Sequence, residues 1–275
     1  MKKGNNKLKK IGAWIAIVIL LLACCMPMFF AFGSGENAQS YFKASLAAAI
    51  MVPLLAYAMW IVYKLLNKNR KVAGSEMENI IFDVGKVLVK YEWEKYLDSF
   101  GFSTEKRDKI AKAVFQSKTW DERDRGSESE EYYIEQMIKD APQYADDIRE
   151  VMRRSGETIE MMDYAETWIR YLKDKGYHIY ILSNYSTYML EKTQSELAFL
   201  KYVDGAVFSC DVKRIKPEAD IYRTLLNRYH LEPEKSVFLD DRAENCEGAR
   251  NEGIHAIQFE SFKQAAAELE KLGVK

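Results

Sequence analysis

Cysteine, histidine and proline are scarce in this chain. The 275 residues include four cysteines, three histidines and five prolines. The cysteines are Cys24, Cys25, Cys210 and Cys246, and the histidines are His178, His230 and His255. Two cysteines share an apolar run and the other two lie far apart, so their spacing contains neither a disulfide framework nor a zinc site. The histidines likewise lack the spacing of metal ligands.

Positive charge is concentrated at the start of the chain. The formal net charge is −1, yet residues 1–76 hold ten lysines and arginines against two acidic residues. The remaining sequence is therefore acidic, which argues against nucleic acid as a main partner. The basic residues flank apolar segments, and this arrangement is typical of membrane topology signals.

Two long segments within residues 1–76 contain no charged residue. The first runs from Ile11 to Gly35 and the second from Ala44 to Tyr63. A helix needs roughly 20 apolar residues to cross the hydrocarbon core, so we predict a membrane hairpin with spans at about residues 11–33 and 44–63. Basic residues lie at its outer ends, and the positive-inside rule then places both termini and the following domain in the cytoplasm. The lipid bilayer is a predicted partner.

Other readings of the first apolar segment are a signal peptide and a lipoprotein signal. Residues 21–24 (LLAC) resemble a lipidation box, with Cys24 as the modified residue. The apolar run continues well beyond Cys24 and a second span follows it, so we favour a hairpin that is retained. A polar linker at residues 66–76 then leads into the rest of the chain.

Residues 77–275 combine apolar β-rich runs with helical patterns. Predicted strands near residues 79–82, 177–182, 206–208, 236–239 and 255–259 alternate with helices, which indicates a parallel, doubly wound α/β sheet. Residues 91–164 are charged and helical, with helices at 91–101, 104–116, 129–139 and 144–154 and a connection at 120–126. We interpret them as a cap over a core formed by residues 77–90 and 165–275.

Polar side chains follow four of the predicted core elements. They are Asp83, Ser183 with Asn184, Lys216, and Asp240 with Asp241. Each alone fits a turn, a solvated loop or a helix cap. Because the carboxyl ends of parallel strands share one edge of a sheet, we expect the whole set to converge there. Clustered carboxylates repel unless a cation neutralises them, and oxygen ligands favour Mg²⁺, the predicted cofactor.

This set of residues predicts phosphoryl-transfer chemistry. Asp83 would attack a phosphorus atom and form an aspartyl-phosphate. Lys216 and Mg²⁺ would offset charge on the phosphoryl oxygens, and the Ser183 hydroxyl would hold another oxygen. Water would then hydrolyse the acyl phosphate.

The same stretches carry a family resemblance. Residues 82–88 (FDVGKVL), 181–184 (ILSN), 216–218 (KPE) and 238–241 (FLDD), with Asn245, resemble the four motifs of the haloacid dehalogenase (HAD) superfamily of phosphohydrolases. The resemblance covers the chain from Asn79 onward. It implies a Rossmann-like core, a helical cap inserted after the first strand, and Mg²⁺-dependent phosphatase activity.

The resemblance also implies roles for individual residues. Asp83 matches the nucleophile and a metal ligand, the carbonyl of Gly85 matches a second metal ligand, and Asp241 matches the direct metal carboxylate with Asp240 in support. Ser183, Asn184 and Lys216 match substrate-binding positions. The Arg125-Gly126 pair looks like a stretch found in sugar-phosphate phosphatases of this group, which implies a substrate contact for Arg125.

Two positions depart from the usual family pattern. Gly85 stands where a second aspartate normally serves as general acid and base, a role worth roughly 10²–10⁴-fold in rate. A subgroup resembling glucose-1-phosphate phosphatases also has glycine there. Lys86 replaces a more usual glycine, and we interpret its side chain as pointing to solvent.

The leading hypothesis is a membrane-anchored cytoplasmic phosphatase for a small phosphomonoester such as a sugar phosphate. The first alternative, motivated by Gly85, is a weakly active or inactive module that binds a phosphorylated ligand or a partner. The second is a true dehalogenase, which the acidic pair Asp240-Asp241 disfavours because such enzymes work without a metal.

Overall fold

The computed structural model describes residues 77–275, together with residues 39, 40, 43, 54 and 57. The chain divides into two units, Met1–Ala73 and Gly74–Lys275, and the elements below belong to the second. In the part of the chain so described, no helix is long and apolar enough to span a bilayer. Apart from residues 54 and 57, the predicted membrane hairpin lies outside the described residues.

Within the described residues, seven strands form two sheets. In chain order they are β1 (Asn79–Phe82), β2 (Val89–Tyr91), β3 (Ile159–Met161), β4 (His178–Ser183), β5 (Gly205–Phe208), β6 (Ser236–Asp240) and β7 (His255–Gln258). The five-stranded sheet has the order β5-β4-β1-β6-β7, and all its pairs are parallel. This confirms the predicted parallel α/β core.

The central strand β1 is buried on both faces. Its four residues are all buried, as expected for a parallel strand covered by helices on either side. Phe82 packs edge-on against Trp168 with ring centroids 4.9 Å apart, and Ile81 joins the cluster of the opposite face. In the register, Phe82 pairs with Ile181 on one side and Leu239 on the other. Asp83, the first residue after β1, therefore lies beside Leu182 of β4 and Asp240, the last residue of β6.

Eleven α-helices are described, five in the cap and six around the sheet. The cap helices are α1 (Trp93–Asp98), α2 (Thr104–Ala113), α3 (Lys118–Arg123), α4 (Glu130–Asp140) and α5 (Ala145–Arg153). The core helices are α6 (Ala165–Asp174), α7 (Thr187–Lys192), α8 (Ser209–Val212), α9 (Ala219–Tyr229), α10 (Ala243–Asn251) and α11 (Phe262–Lys271). The cap has a hydrophobic cluster of its own, and the short antiparallel pair β2–β3 joins it to the core.

Two local features differ from the sequence-based prediction. The segment 120–126 was predicted as a connection, but Ser117 caps a helix that runs through Arg123, since its side chain accepts a hydrogen bond from the N–H of Trp120. The strands β2 and β3 were missed because three residues are too few for a period-2 pattern.

Helix α10 approaches α9 closely at Gly248. A methyl group there would lie 2.8 Å from the Tyr222 hydroxyl and 2.9 Å from the Pro217 carbonyl oxygen. We expect Gly248→Ala to lower the free energy of unfolding by about 1–2 kcal/mol, because this crowding outweighs the gain in helix propensity. Denaturant unfolding followed by tryptophan fluorescence measures the change. The exposed neighbour Glu247→Ala is the matched control, and equal stability of the two variants would contradict the packing argument.

Candidate active site

The site begins at the residue that follows β1. Asp83 is 7% exposed, and its backbone N–H donates to the Leu239 carbonyl at 2.9 Å, which continues the β1–β6 register. Its Oδ1 accepts a hydrogen bond from the Ser183 hydroxyl at 2.7 Å. The Lys216 ammonium lies 2.8 Å from the same oxygen. A carboxylate, a hydroxyl and an ammonium group thus meet at the carboxyl edge of the sheet.

Lys216 is buried and held from several sides. Its Nζ lies 2.6 Å from Asp240 Oδ2 and donates to the Leu182 carbonyl at 3.0 Å. The side chain of Asn184 brackets the backbone of Lys216, because its Oδ1 accepts from the Lys216 N–H at 2.8 Å and its Nδ2 donates to the Lys216 carbonyl at 3.1 Å. Asn184 therefore positions the lysine, in addition to the substrate contact predicted for it.

Asp240 is fully buried and every contact it makes is with a donor. Oδ1 accepts from the Arg242 N–H at 2.8 Å, and the Asn245 amide lies 3.0 and 3.1 Å from the two carboxylate oxygens. With Lys216 on Oδ2, both oxygens are occupied. These contacts explain why the motif contains Asn245, and they make Asp240 the anchor of the lysine.

Three carboxylates lie close enough to share one cation. Asp83, Asp240 and Asp241 each offer an oxygen, and these oxygens all lie within 4.8 Å of one another. A cluster made only of oxygen donors fits Mg²⁺ and not zinc. Gly85, whose carbonyl was predicted as a further ligand, lies in the turn directly after Asp83 and forms a bridge with Val89.

The electrostatics of the acidic cluster also favour a bound cation. Burial raises the pKa of Asp83 to about 6, with Asp240 adding to the rise and Lys216 opposing it. Burial and the charge of Asp240 also raise the pKa of Asp241. Burial disfavours the ammonium of Lys216, but Asp240 and Asp83 outweigh it and raise the pKa of this lysine. One buried lysine does not fully offset the three acids, and a divalent ion would supply the missing positive charge.

Lys86 adopts a left-handed backbone conformation, with φ at 57°. This geometry explains why glycine is the more usual residue at that position of the motif. The side chain is 59% exposed, as the sequence interpretation predicts, but its ammonium also lies 3.9 Å from Asp241 Oδ2. Lys86 therefore adds positive charge at the rim of the acidic cluster.

Arg125 does not join this cluster. Its guanidinium donates two hydrogen bonds to Glu218, at 2.7 and 3.0 Å, and one to Glu122 at 3.1 Å. The substrate contact predicted for Arg125 stays a prediction, and in this structure the residue forms an ion pair that ties the cap to the loop after Lys216. The sequence could not show this, because Arg125 and Glu218 are 93 residues apart.

A cavity of about 110 Å³ lies beside the cluster, between core and cap. The core contributes Gly85 and Asn184 to its lining, and the cap side contributes Tyr91, Trp120 and Asp124. Asp124 was not singled out from the sequence. The available signals were its place in the charged segment 120–126 and the absence of an acid at position 85.

The fold and the site together define a hydrolase of the parallel α/β class, with a buried aspartate and a cluster of oxygen ligands at one edge of its sheet. Residues 77–253 match the haloacid dehalogenase-like hydrolase family, and the chain belongs to that family. The three clustered carboxylates and the family membership together support Mg²⁺ as the cofactor.

Two curated relatives illustrate the range of similarity. D-ribitol-5-phosphate phosphatase of Bacteroides thetaiotaomicron is 22% identical over 205 residues, which cover 67% of this chain and 93% of that protein. Bifunctional epoxide hydrolase 2 of Mus musculus is 34% identical over 105 residues, which cover 37% of this chain. The match spans only 19% of the mouse protein, so it concerns one part of a much longer chain.

Solved structures show the same fold. A HAD family enzyme from Bacteroides thetaiotaomicron, in complex with magnesium and inorganic phosphate, superposes with a TM-score of 0.54 at 17% identity and covers 69% of this chain and 98% of its own. L-2-haloacid dehalogenase from Xanthobacter autotrophicus has a TM-score of 0.51 at 15% identity, over 72% of this chain and 84% of its own. At these identities the likeness concerns architecture alone.

The raised pKa of Asp83 yields a stability prediction for the metal-free protein. As pH rises from the ordinary value of 3.8 to about 6, the unfolded chain loses this proton while the folded protein keeps it, so stability falls across that window. Asp83→Asn removes this cost, and we expect it to raise the free energy of unfolding at pH 7 by about 1–3 kcal/mol. Below about pH 4 the difference should vanish.

Chemical denaturation with a chelator present, at pH 4 and pH 7, measures the effect. Asp108→Asn, at an exposed position of α2, is the control and should leave stability nearly unchanged at both pH values. A loss of stability in Asp83→Asn at pH 7 would show that the attraction of Lys216 outweighs the cost of burial.

Proposed function

We propose that this protein is a membrane-anchored, Mg²⁺-dependent phosphatase that hydrolyses a small phosphomonoester through an aspartyl-phosphate intermediate. One observation carries the proposal. Asp83 Oδ1 lies 2.8 Å from the Lys216 ammonium and 2.7 Å from the Ser183 hydroxyl, with the Asp241 carboxylate in the same acidic cluster. The proposed nucleophile and the groups proposed to stabilise a phosphoryl anion thus lie together at the carboxyl edge of the sheet.

The proposed reaction assigns a task to each residue. Asp83 attacks the phosphorus atom, and the bond from phosphorus to the ester oxygen breaks. The Lys216 ammonium offsets charge on the transferring group, and Ser183 donates a hydrogen bond to it. Asp83, Asp241 and the carbonyl of Gly85 would hold Mg²⁺, which when bound offsets further charge on the phosphoryl oxygens. Water then displaces Asp83 from phosphorus.

The substrate is proposed as a sugar phosphate or a similar small metabolite. The cavity of about 110 Å³ beside Gly85 suits a small leaving group, and a relative aligned over most of its length is a phosphatase of a sugar-alcohol phosphate. Glycine at position 85 is also found in the subgroup that resembles glucose-1-phosphate phosphatases, which supports the proposal. The anchor is proposed from the two uncharged segments between Ile11 and Tyr63.

Gly85 motivates a second candidate function, a module that binds phosphorylated ligands without turnover. Binding of Mg²⁺ and inorganic phosphate in calorimetry, without hydrolysis of any phosphomonoester in a broad panel, would favour that module. Release of chloride from a haloacid in the presence of a chelator would instead favour a dehalogenase.

Asp83→Asn tests the proposed chemistry. We expect the full-length protein in detergent to release phosphate from p-nitrophenyl phosphate with Mg²⁺ and to lose this activity with a chelator. The variant should lose at least about 10³-fold in kcat, because the amide is a poor nucleophile. Asp108→Asn serves again as the control and should retain full activity. Equal slow release by the wild type and Asp83→Asn would place catalysis elsewhere.

Membrane fractionation tests the proposed anchor. We expect the full chain to stay with the membrane pellet after extraction at high pH and high salt, because two spanning helices resist conditions that strip peripheral proteins. A variant carrying arginine at residues 19 and 55, within the two uncharged segments, should shift to the supernatant. Recovery of the wild-type chain in the supernatant would contradict the anchor. N-terminal sequencing of the pelleted protein separates a retained hairpin from a cleaved signal or a lipidated Cys24.

A further inference from the structure

At the carboxyl edge of the sheet, Gly85 occupies the position where the family pattern supplies a general acid. Asp124, a residue of the cap with a carboxyl group, lines the cavity beside Gly85. We propose that Asp124 acts as the general acid for the leaving group and the general base for the hydrolytic water. This inference rests on the proposed phosphatase function. It assigns to the cap a chemical step in addition to any role in substrate selection.

The cavity of about 110 Å³ is lined by both Asp124 and Gly85, the position at which the family pattern has an acid. Of the described residues that line it, Asp124 alone carries a carboxyl group. The tyrosines in this lining are poor proton donors, because burial raises the pKa of Tyr185 to about 12 and that of Tyr91 well above its ordinary value. A proton for the leaving group therefore has one ready source in this cavity.

Contacts with the core hold the cap segment 124–126 in place. The Ser209 hydroxyl donates to the carbonyl of Asp124, and the Lys213 ammonium donates to the carbonyl of Gly126. Arg125 forms its two-bond ion pair with Glu218. Each of the three consecutive residues is thus tied to the core. The position of Asp124 relative to the reacting edge does not depend on the packing of α3 alone.

The charges around Asp124 permit it to carry a proton. Burial raises the pKa of Asp124 to about 7. The charged groups that face it are, from the cap, Arg123, which lowers the pKa, and Asp121, which raises it, and, from the core, Asp83, which raises it, and Lys216, which lowers it. A group that titrates near neutral pH is suited both to give a proton and to take one back.

Arg123 does not neutralise Asp124 as it would in a simple ion pair. Its guanidinium is buried and donates from Nε and Nη2 to Glu130, at 2.6–3.0 Å. The same group stacks over Trp120 at 4.9 Å. Because the Arg123 guanidinium already pairs with Glu130, the neighbouring carboxyl group of Asp124 is able to hold its proton.

The two half-reactions balance with Asp124 as the proton carrier. In the first, the bond between Asp83 Oδ and phosphorus forms as the ester P–O bond breaks, and protonated Asp124 gives its proton to the departing alkoxide. In the second, a water oxygen attacks phosphorus, the bond to Asp83 breaks, and Asp124 takes the proton of the water. Asp124 ends protonated, and the net products are one alcohol and one inorganic phosphate.

Leaving-group dependence tests the role of Asp124. A p-nitrophenolate group leaves without protonation, whereas the alkoxide of an alkyl phosphate needs a proton. We expect Asp124→Asn in the full-length protein to lower kcat/KM for glycerol 2-phosphate by about 10²-fold or more, and for p-nitrophenyl phosphate by less than about tenfold. Asp140→Asn, at an exposed position of α4, is the control and should match the wild type on both substrates.

Three outcomes decide between the explanations. An equal loss on both substrates, or a loss below about threefold on each, overturns the role of Asp124 while leaving the phosphatase intact. Absence of turnover by the wild type, or equal turnover by Asp83→Asn, overturns the proposed function itself. Asp124→Glu keeps the acid, and partial recovery of glycerol 2-phosphate hydrolysis relative to Asp124→Asn separates proton transfer from a purely structural contribution, including when the amide variant is less stable.

Discussion

The active site depends on one buried ion pair system, in which the ammonium of Lys216 lies between the carboxylates of Asp83 and Asp240 at 2.8 and 2.6 Å. A charge buried at this depth is costly unless it is paired and hydrogen-bonded. Asn184 holds the lysine backbone, and Asn245 holds Asp240. The polar residues at the ends of the strands therefore form one connected network, in which each charged group keeps its neighbour in place.

The cap completes what the core leaves open. The core edge supplies the proposed nucleophile, the lysine and the cluster of carboxylates, but its turn carries Gly85 in place of an acid. The segment 124–126 brings a carboxyl group to the same cavity and is tied to Ser209, Lys213 and Glu218 of the core.

Much of the core was predictable because its signals are local. Buried parallel strands are short apolar runs, and a polar residue directly after each run marks the edge where ligands bind. The short elements were not predictable in the same way. Helix α3 depends on the Ser117 cap and on packing in the cap cluster, and β2–β3 depends on pairing between residues about 70 positions apart. The left-handed backbone of Lys86 follows from the tight turn after β1, where a lysine replaces the usual glycine.

The sequence alone determined the α/β class, the order of the five core strands along the chain, the cap insertion, and the polar residues that meet at the carboxyl edge of the sheet. Each of these features produces a recognisable pattern within a few neighbouring positions. The tertiary structure alone decided which partners those residues take. It assigned Arg125 to Glu218, occupied both oxygens of Asp240 with donors, and brought Asp124 to the cavity beside Gly85. Those choices depend on how the cap folds back onto the core, and contacts between residues distant along the chain have no local pattern from which they can be read.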